Sequence, residues 1–472
     1  MNISPEAIRA VMATRRIFAF SLSMLVILCL VLFSGCSRCF EIIRDIRELP
    51  QDHRQYLAES GASRTLISGE VQAGFRLRFL RWFFSPWHQP ESPYSREAAE
   101  AFFNRYLGPT GEGKKRGSRH QRAIKAMVRN ADLCSFPNSA RRAITVRHAD
   151  MRGLPTGRPL ADPDVRMGPS PLLFDRLQVT SVPASTPVFI SHWSRDRKWC
   201  LAETGYAFGW LSSRDLALVD APFIAAWESG AYAVVVKDHV SVPVRRGQPV
   251  TASIGSLFPQ VGESSGALEI LVATGDARGH AVAVRAMMPK DTAAASPLPL
   301  TLERVADLAN EFMDTPYGWG GQQKRRDCSS MLRDLFVPFG IWLPRHSADQ
   351  ALEGGRFIDL AGKDREGKRE ALATQGVPYL TLLWLKGHIM LYIGQRDGEP
   401  LVFHNFWSVR TTNAQGRSGK KVIGRAAITT LHPGREFQPP GSLRGDLLGA
   451  LQGMTVLVPS FPSNFLVKRS IF

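Results

Sequence analysis

The chain has 472 residues and a mass of 52.3 kDa, too long for one typical domain of roughly 100–200 residues. Apolar residues make up 44% and charged residues 21%, which excludes wholesale disorder. The formal net charge of +17 favours anionic partners, and six cysteines without a repeated C-x-x-C spacing argue against a disulfide scaffold or a structural zinc site.

From the N-terminus, residues 1–35 read as an export signal. Arg9, Arg15 and Arg16 precede an uncharged run over residues 17–33. Leu32-Phe33-Ser34-Gly35-Cys36 follows and resembles a bacterial lipobox. That resemblance implies lipidation of Cys36 and a protein anchored to the membrane in the cell envelope, at the periplasmic face, with the outer membrane favoured. An uncleaved anchor helix is the alternative, and either route exports the chain to an oxidising side. Thr14-Arg15-Arg16-Ile17-Phe18 also resembles a twin-arginine signal, but the very apolar run favours the general route. The densest basic run, residues 114–122, has no interleaved aromatics and no nucleic-acid motif. It reads as a solvated loop, and no nucleic acid is expected as a partner.

Residues 36–135 read as a helical N-terminal region. Arg96–Leu107 (REAAEAFFNRYL) joins strong helix formers to an apolar stripe through Ala98, Phe102 and Tyr106. The cluster Trp82-Phe83-Phe84-Ser85-Pro86-Trp87 reads as a docking core between domains. After about residue 140 short apolar runs alternate with Gly, Pro, Asp and Ser, the pattern of small β-barrels. Two are expected, at 136–219 and 220–289. Trp193, Trp199, Tyr206 and Trp210 would either line a peptide groove or fill the core of the first. Residues 290–300 (KDTAAASPLPL) read as a linker, which leaves 301–472 as a last domain. The fold class expected is α+β and multidomain.

The chemistry lies in that last domain. Pro316-Tyr317-Gly318-Trp319-Gly320-Gly321 leads to Arg326-Asp327-Cys328-Ser329-Ser330. Cys328, Met331, Leu332, Leu335 and Phe336 follow at helical spacing, so Cys328 opens an amphipathic helix. A cysteine there faces unsatisfied N–H groups that favour the nucleophilic thiolate. His388 begins a buried strand, His404 lies on the next, and Asp397-Gly398 is the turn between them. A two-residue turn alone would pair His404 with Leu391 and send the two imidazoles to opposite faces. A bulge or an odd loop is therefore expected.

The segments Y-x-W-G-G, D-C-S, L-P-R-x-S and G-H-x-x-x-Y-x-G resemble the NlpC/p60 family of papain-like cysteine peptidases over about residues 300–460. The two preceding barrels resemble bacterial SH3 modules, and the helical region resembles the family's N-terminal stabilising region. The resemblance implies hydrolysis of the γ-D-glutamyl–diamino acid bond of peptidoglycan stem peptides, preferably with a free N-terminal L-Ala. It implies Cys328 as nucleophile, His388 as base and His404 as its orienting partner. The Cys328 backbone N–H and Tyr317 would stabilise the oxyanion. Asp327, Ser329, Tyr317, Arg345 and Ser347 would bind substrate, with Asp327 and Ser329 next to the substrate's amine. No metal or organic cofactor is implied, and a monomer is expected. The competing reading is a non-catalytic lipoprotein that binds the wall through its SH3 barrels.

Overall fold

In the computed structural model, the described residues are 42–57, 62–107, 118–160, 174–244, 248–412 and 416–457. The chain divides into residues 1–43 and a second unit, 44–472, to which every element below belongs. The export signal and Cys36 lie outside the described residues. Among the described residues no helix is long and apolar enough to cross a membrane.

Ser68 starts the longest helix among the described residues. Its hydroxyl accepts from the Val71 N–H at 3.3 Å and relieves one of the donors a helix leaves unpaired. After a short α1 (Arg44–Glu48), α2 (Gly69–His88) buries Phe75, Phe79, Phe84 and Trp87. The Trp87 indole donates to the Ala143 carbonyl at 2.8 Å, and Trp82 stacks on Trp342 at 4.9 Å. The aromatic cluster is thus a docking core joining helix, sheets and C-terminal domain. Two further helices follow, α3 (Arg96–Leu107) and α4 (Ser118–Ala131). The basic run expected as a loop instead enters α4 at Ser118, because Ile124, Met127 and Ala131 form a stripe that carries the helix back one turn. Residues 114–117 lie outside the described residues.

Seven antiparallel strands come next: β1 (Arg141–Thr145), β2 (Ala149–Arg152), β3 (Gln178–Val182), β4 (Pro187–Trp193), β5 (Trp199–Glu203), β6 (Phe208–Ser212) and β7 (Leu216–Leu218). They form one sheet in the order β3-β2-β6-β5-β4-β1-β7. Its aromatics pack inward rather than lining a groove. Trp210 is fully buried, Trp199 packs with Phe103 and Phe208, and Tyr206 lies under the Arg333 guanidinium at 3.9 Å.

A helix, α5 (Ala221–Trp227), capped by Asp220, opens the second β region. Its strands are β8 (Tyr232–Val235), β9 (Val240–Val242), β10 (Val250–Ala252), β11 (Leu257–Glu263), β12 (Ala267–Gly275) and β13 (Ala281–Pro289). The segment expected as a linker supplies another strand, β14 (Ala293–Ser296), which pairs with β8. The small side chains of Ala293-Ala294-Ala295 sit against that sheet, so their lack of apolar bulk did not prevent pairing. The sheet order is β13-β12-β11-β8-β14, with β9–β10 as a separate ribbon. Cys134 and Cys200 are both free thiols.

The C-terminal domain places α6 (Leu302–Glu311), α7 (Cys328–Phe336) and α8 (Ser347–Glu353) before β15 (Arg356–Asp359). Next come α9 (Arg365–Gln375), β16 (Thr381–Leu385), β17 (His388–Arg396), β18 (Glu399–Thr412) and β19 (Ser418–Thr430). A last helix, α10 (Leu447–Ala450), and β20 (Gly453–Val456) complete a six-stranded antiparallel sheet ordered β15-β20-β16-β17-β18-β19. Alternation along β17 covers both faces: Ile389, Leu391 and Ile393 join Met331, Leu335 and Phe336 of α7, whereas Met390 and Tyr392 join Leu372 and Leu448.

Candidate active site

Local chemistry sets the start of α7. The Asp327 carboxylate accepts from the Ser330 N–H at 2.9 Å, and the Ser330 hydroxyl accepts from the Asp327 N–H at 2.9 Å. This reciprocal cap makes Cys328 the first helical residue, whose N–H has no carbonyl within the helix. Ser330 is thereby part of the cap. The chain before it is held from several sides. The Arg326 carbonyl accepts from Gly318 N–H at 2.9 Å and from Asn405 Nδ2 at 3.0 Å. The Arg326 guanidinium reaches Asp334 at 2.7 Å and Asp238, beyond β8, at 2.5 and 2.9 Å. Gln350 of α8 donates to the Ser329 carbonyl at 2.8 Å.

The first sheet reaches into this arrangement through β3. Gly320 and Gly321 adopt φ of +59° and +76°. A Cβ at Gly320 would lie 2.6 Å from the Gln178 carbonyl oxygen, and one at Gly321 would lie 2.6 Å from Ser181 N. Both the left-handed backbone and the close approach require glycine. Gln178 then donates to the Gly320 carbonyl at 3.2 Å, and the Gly320 N–H donates to Asp327 Oδ2 at 3.1 Å.

Arg345 closes the frame. It is 3% exposed and donates to Asp327 Oδ1 and Oδ2 at 3.1 and 2.6 Å, to Ser329 Oγ at 2.9 Å and to Thr180 Oγ1 of β3 at 2.6 Å. Burial raises the Asp327 carboxyl, but the Arg345 guanidinium and the Ser330 hydrogen bonds outweigh it and hold it at about 2. An incoming ammonium would meet a carboxylate already paired on both oxygens, so its attraction there is far below that of a free −1 charge. Arg345 thus braces Asp327 from a buried position, and both residues line the cleft described below.

The histidines meet as the bulge argument requires. Arg396 pairs with Glu399 across the two-residue turn, in which Asp397 and Gly398 both have positive φ. The register then shifts between Tyr392 and Gly394, leaving Ile393 as the extra residue. His388 Nε2 lies 2.8 Å from His404 Nδ1, and His404 Nε2 lies 3.0 Å from Thr429 Oγ1. The Thr429 hydroxyl donates to the Thr430 carbonyl at 2.8 Å, so it accepts from His404. With both rings neutral, His404 Nδ1 carries a lone pair, His388 Nε2 carries the proton, and His388 Nδ1 is the basic nitrogen. Thr429 had no signal in the sequence; strand pairing alone brings it here.

The charge state of the nucleophile departs from expectation. Burial, reinforced by the Asp327 charge, pushes the Cys328 thiol up to about 12, against a hydrogen bond from the Ile389 N–H. Burial also lowers His388 to about 4, with Asp327 opposing. Desolvation thus outweighs the helix N-terminus and opposes the charged form of both the thiol and the imidazole. Tyr317 remains a phenol: burial first, then the nearby Cys328 and Asp327, drive its ionisation upward.

Tyr317, Asp327, Cys328, Ser329, Arg345, Ser347, His388 and His404 all line one cleft of about 1330 Å³. Sequence reasoning missed two aromatic contacts on its walls. Phe174, just before β3, meets Trp407 of β18 edge-on at 5.1 Å and Trp319 at 5.7 Å.

Comparison with known proteins shows what the chain is similar to. Three family profiles match: the NLPC_P60 N-terminal stabilising domain over residues 25–136, an SH3 domain of the SH3b1 type over 171–212, and the NlpC/P60 family over 314–419. Among solved structures, an NlpC/P60 endopeptidase from Photobacterium damselae subsp. piscicida is 25% identical. That match covers 88% of this chain and 99% of the other, with a TM-score of 0.76. An NlpC/P60 family protein from Bacillus cereus ATCC 10987 is 16% identical, covering 67% of this chain and 100% of that one, with a TM-score of 0.44. The search of curated proteins gave no match. With a helical stabilising domain, an SH3b domain and a catalytic domain in that order, the chain belongs to the NlpC/P60 family of peptidoglycan endopeptidases, which are cysteine peptidases.

Proposed function

We propose that the protein hydrolyses the γ-D-glutamyl–diamino acid bond of peptidoglycan stem peptides. The observation that carries this is the hydrogen-bonded chain His388–His404–Thr429 in the same cleft as Cys328. His388 Nδ1 takes the thiol proton as sulfur attacks the γ-glutamyl carbonyl. The tetrahedral oxyanion receives the Cys328 N–H and the Tyr317 hydroxyl. Its collapse breaks the C–N bond, and His388 returns the proton to the leaving amine. Water, deprotonated by His388, then hydrolyses the thioester. His404 holds the His388 ring in the required tautomer.

A substrate with a free N-terminal L-Ala fits the end of the cleft walled by Gln178, Val179 and Phe174 of the first sheet. Ser329, Ser347 and Tyr317 line that end and supply polar contacts. In this reading the second β region is a further SH3-like barrel, and the catalytic fold is papain-like. Cys36 is the lipidated residue, tethering a monomer at the periplasmic face of the envelope.

The test is mass spectrometry of L-Ala-γ-D-Glu-diaminopimelate digests beside intact sacculi. Release of L-Ala-D-Glu by the native protein and not by Cys328→Ala is expected. Equal cleavage by Cys328→Ala would reject the mechanism. Wall binding without any Cys328-dependent product would leave a non-catalytic adhesive protein.

A further inference from the structure

Arg326 touches every part of the catalytic group through its main chain. Its carbonyl accepts from Asn405, the residue after His404, and from Gly318, the residue after Tyr317. Its own chain runs on into Asp327 and Cys328. Its side chain is buried and points the other way, out of the C-terminal domain. Among the described residues, the charged group that meets it there is Asp238, in the turn between β8 and β9 of the second β region. The contact is fork on fork: Arg326 Nη1 donates to Asp238 Oδ2 at 2.5 Å and Nη2 to Oδ1 at 2.9 Å. Asp238 Oδ1 also accepts from the Ile254 N–H at 2.9 Å, which ties the carboxylate to its own domain. Burial raises the Asp238 carboxyl, but the Arg326 guanidinium and the Ile254 hydrogen bond outweigh it and hold it below its ordinary value.

Resting on the reaction proposed above, we infer that Asp238 is a positioning residue for it, acting through Arg326 on the main chain that carries Cys328 and meets Asn405 beside His404. Planar bidentate pairing fixes orientation as well as charge. Asp334, the other carboxylate on Arg326, lies on α7 and moves with it, so it cannot set that helix against the rest of the molecule. Asp334 is also shared with Arg333, at 2.7 and 3.1 Å. Two buried guanidiniums are thus matched by two carboxylates, and without Asp238 one carboxylate would face both. The segment before Cys328 would then shift to relieve the unpaired charge. The second β region is in this way a working part of the catalytic centre, although none of its described residues lines the cleft.

The experiment separates placement from stability. On L-Ala-γ-D-Glu-diaminopimelate, Asp238→Asn should lower kcat by about 10–100-fold with KM changed by less than about twofold, the cost of a small misplacement at the reacting atoms. Asp238→Asn/Arg326→Met removes both members of the pair and leaves Arg333 matched by Asp334, so its urea midpoint should return toward the native one. Its kcat should nevertheless stay low. Alkylation of Cys328 by iodoacetamide, followed on its own peptide by mass spectrometry, should slow in the double variant by a similar factor. The double variant carries the comparison where the single one does not fold. Glu263→Gln, which breaks the exposed pair with Lys290 in the same β region, should leave kcat and alkylation as in the native protein. Recovery of kcat together with stability in the double variant overturns the inference and makes the pair structural. A change in KM alone overturns it as well and makes Asp238 a binding residue. In both cases native cleavage leaves the peptidase reading intact. Absence of cleavage by the native protein overturns that reading and this inference together.

Discussion

The two ends of the cleft handle charge in opposite ways. At the end formed with the first sheet, Arg345 and Asp327 are buried and paired, with Thr180, Ser329, Ser330 and Gly320 completing their hydrogen bonds. At the β18–β19 end, Arg410 and Lys420 oppose each other in solvent. A buried ion pair with every donor and acceptor used is a rigid frame. An exposed pair of like charges repels instead, and salt screens the repulsion. The difference separates residues that frame the start of α7 from residues left open to solvent.

The sharpest break of this comparison is at the nucleophile between the two ends. Cys328→Ser should remove activity by about 10⁴-fold or more while the melting temperature stays near native, as loss of a covalent nucleophile demands. Residual turnover in a stem-peptide assay would move the chemistry elsewhere in the cleft.

Next in size is the frame. Arg345→Met strands a buried carboxylate and should cost about 3–5 kcal/mol in urea unfolding. Adding Asp327→Asn should recover part of that loss. Unfolding curves that overlay the native one would show that the pair is not structural.

His404→Ala should lower kcat by about 10–100-fold with a smaller change in KM, since it acts through His388. Thr429→Val should do the same more weakly. A pure KM effect in either variant would place them in binding.

Acid should weaken the fold before it protonates the base. Burial lowers His53 to about 3 and His388 to about 4, and puts His404 well below its ordinary value. The unfolded chain takes up these protons near pH 6.5 and the native protein does not, so stability falls as pH drops below 6.5. Each histidine should withdraw about 1 kcal/mol between pH 6 and 5. Urea midpoints across that range test this, and a flat profile would mean that the buried rings charge within the fold. Activity per folded molecule should hold until pH approaches 4.

The smallest effect belongs to the open end. Arg410→Gln should stabilise the protein by about 0.2–1 kcal/mol at low salt, by relieving the cross-strand repulsion. A loss of stability instead would show that Arg410 is already paired.

Much of the site was legible because its signals are local. A cap followed by a 3.6-residue apolar stripe marks Cys328, and turn parity on two strands demands a bulge without any knowledge of the packing. The linker misreading has the opposite origin: Ala293-Ala294-Ala295 carries no periodicity, and only its pairing with β8 makes it a strand. The aromatics of the first sheet were ambiguous for a similar reason, since core and groove residues have the same composition. Phe174 and Thr429 had no signal at all, the first being brought to the cleft and the second to His404 by chain far from the motif.

The sequence by itself determined on which elements the candidate side chains sit, because helix caps, turn residues and strand alternation act over a few residues. Tertiary structure alone decided the desolvation of Cys328 and His388, the capture of Asp327 by Arg345 and the meeting of Arg410 with Lys420. Those depend on desolvation and on strand register, which arise only when distant segments pack together.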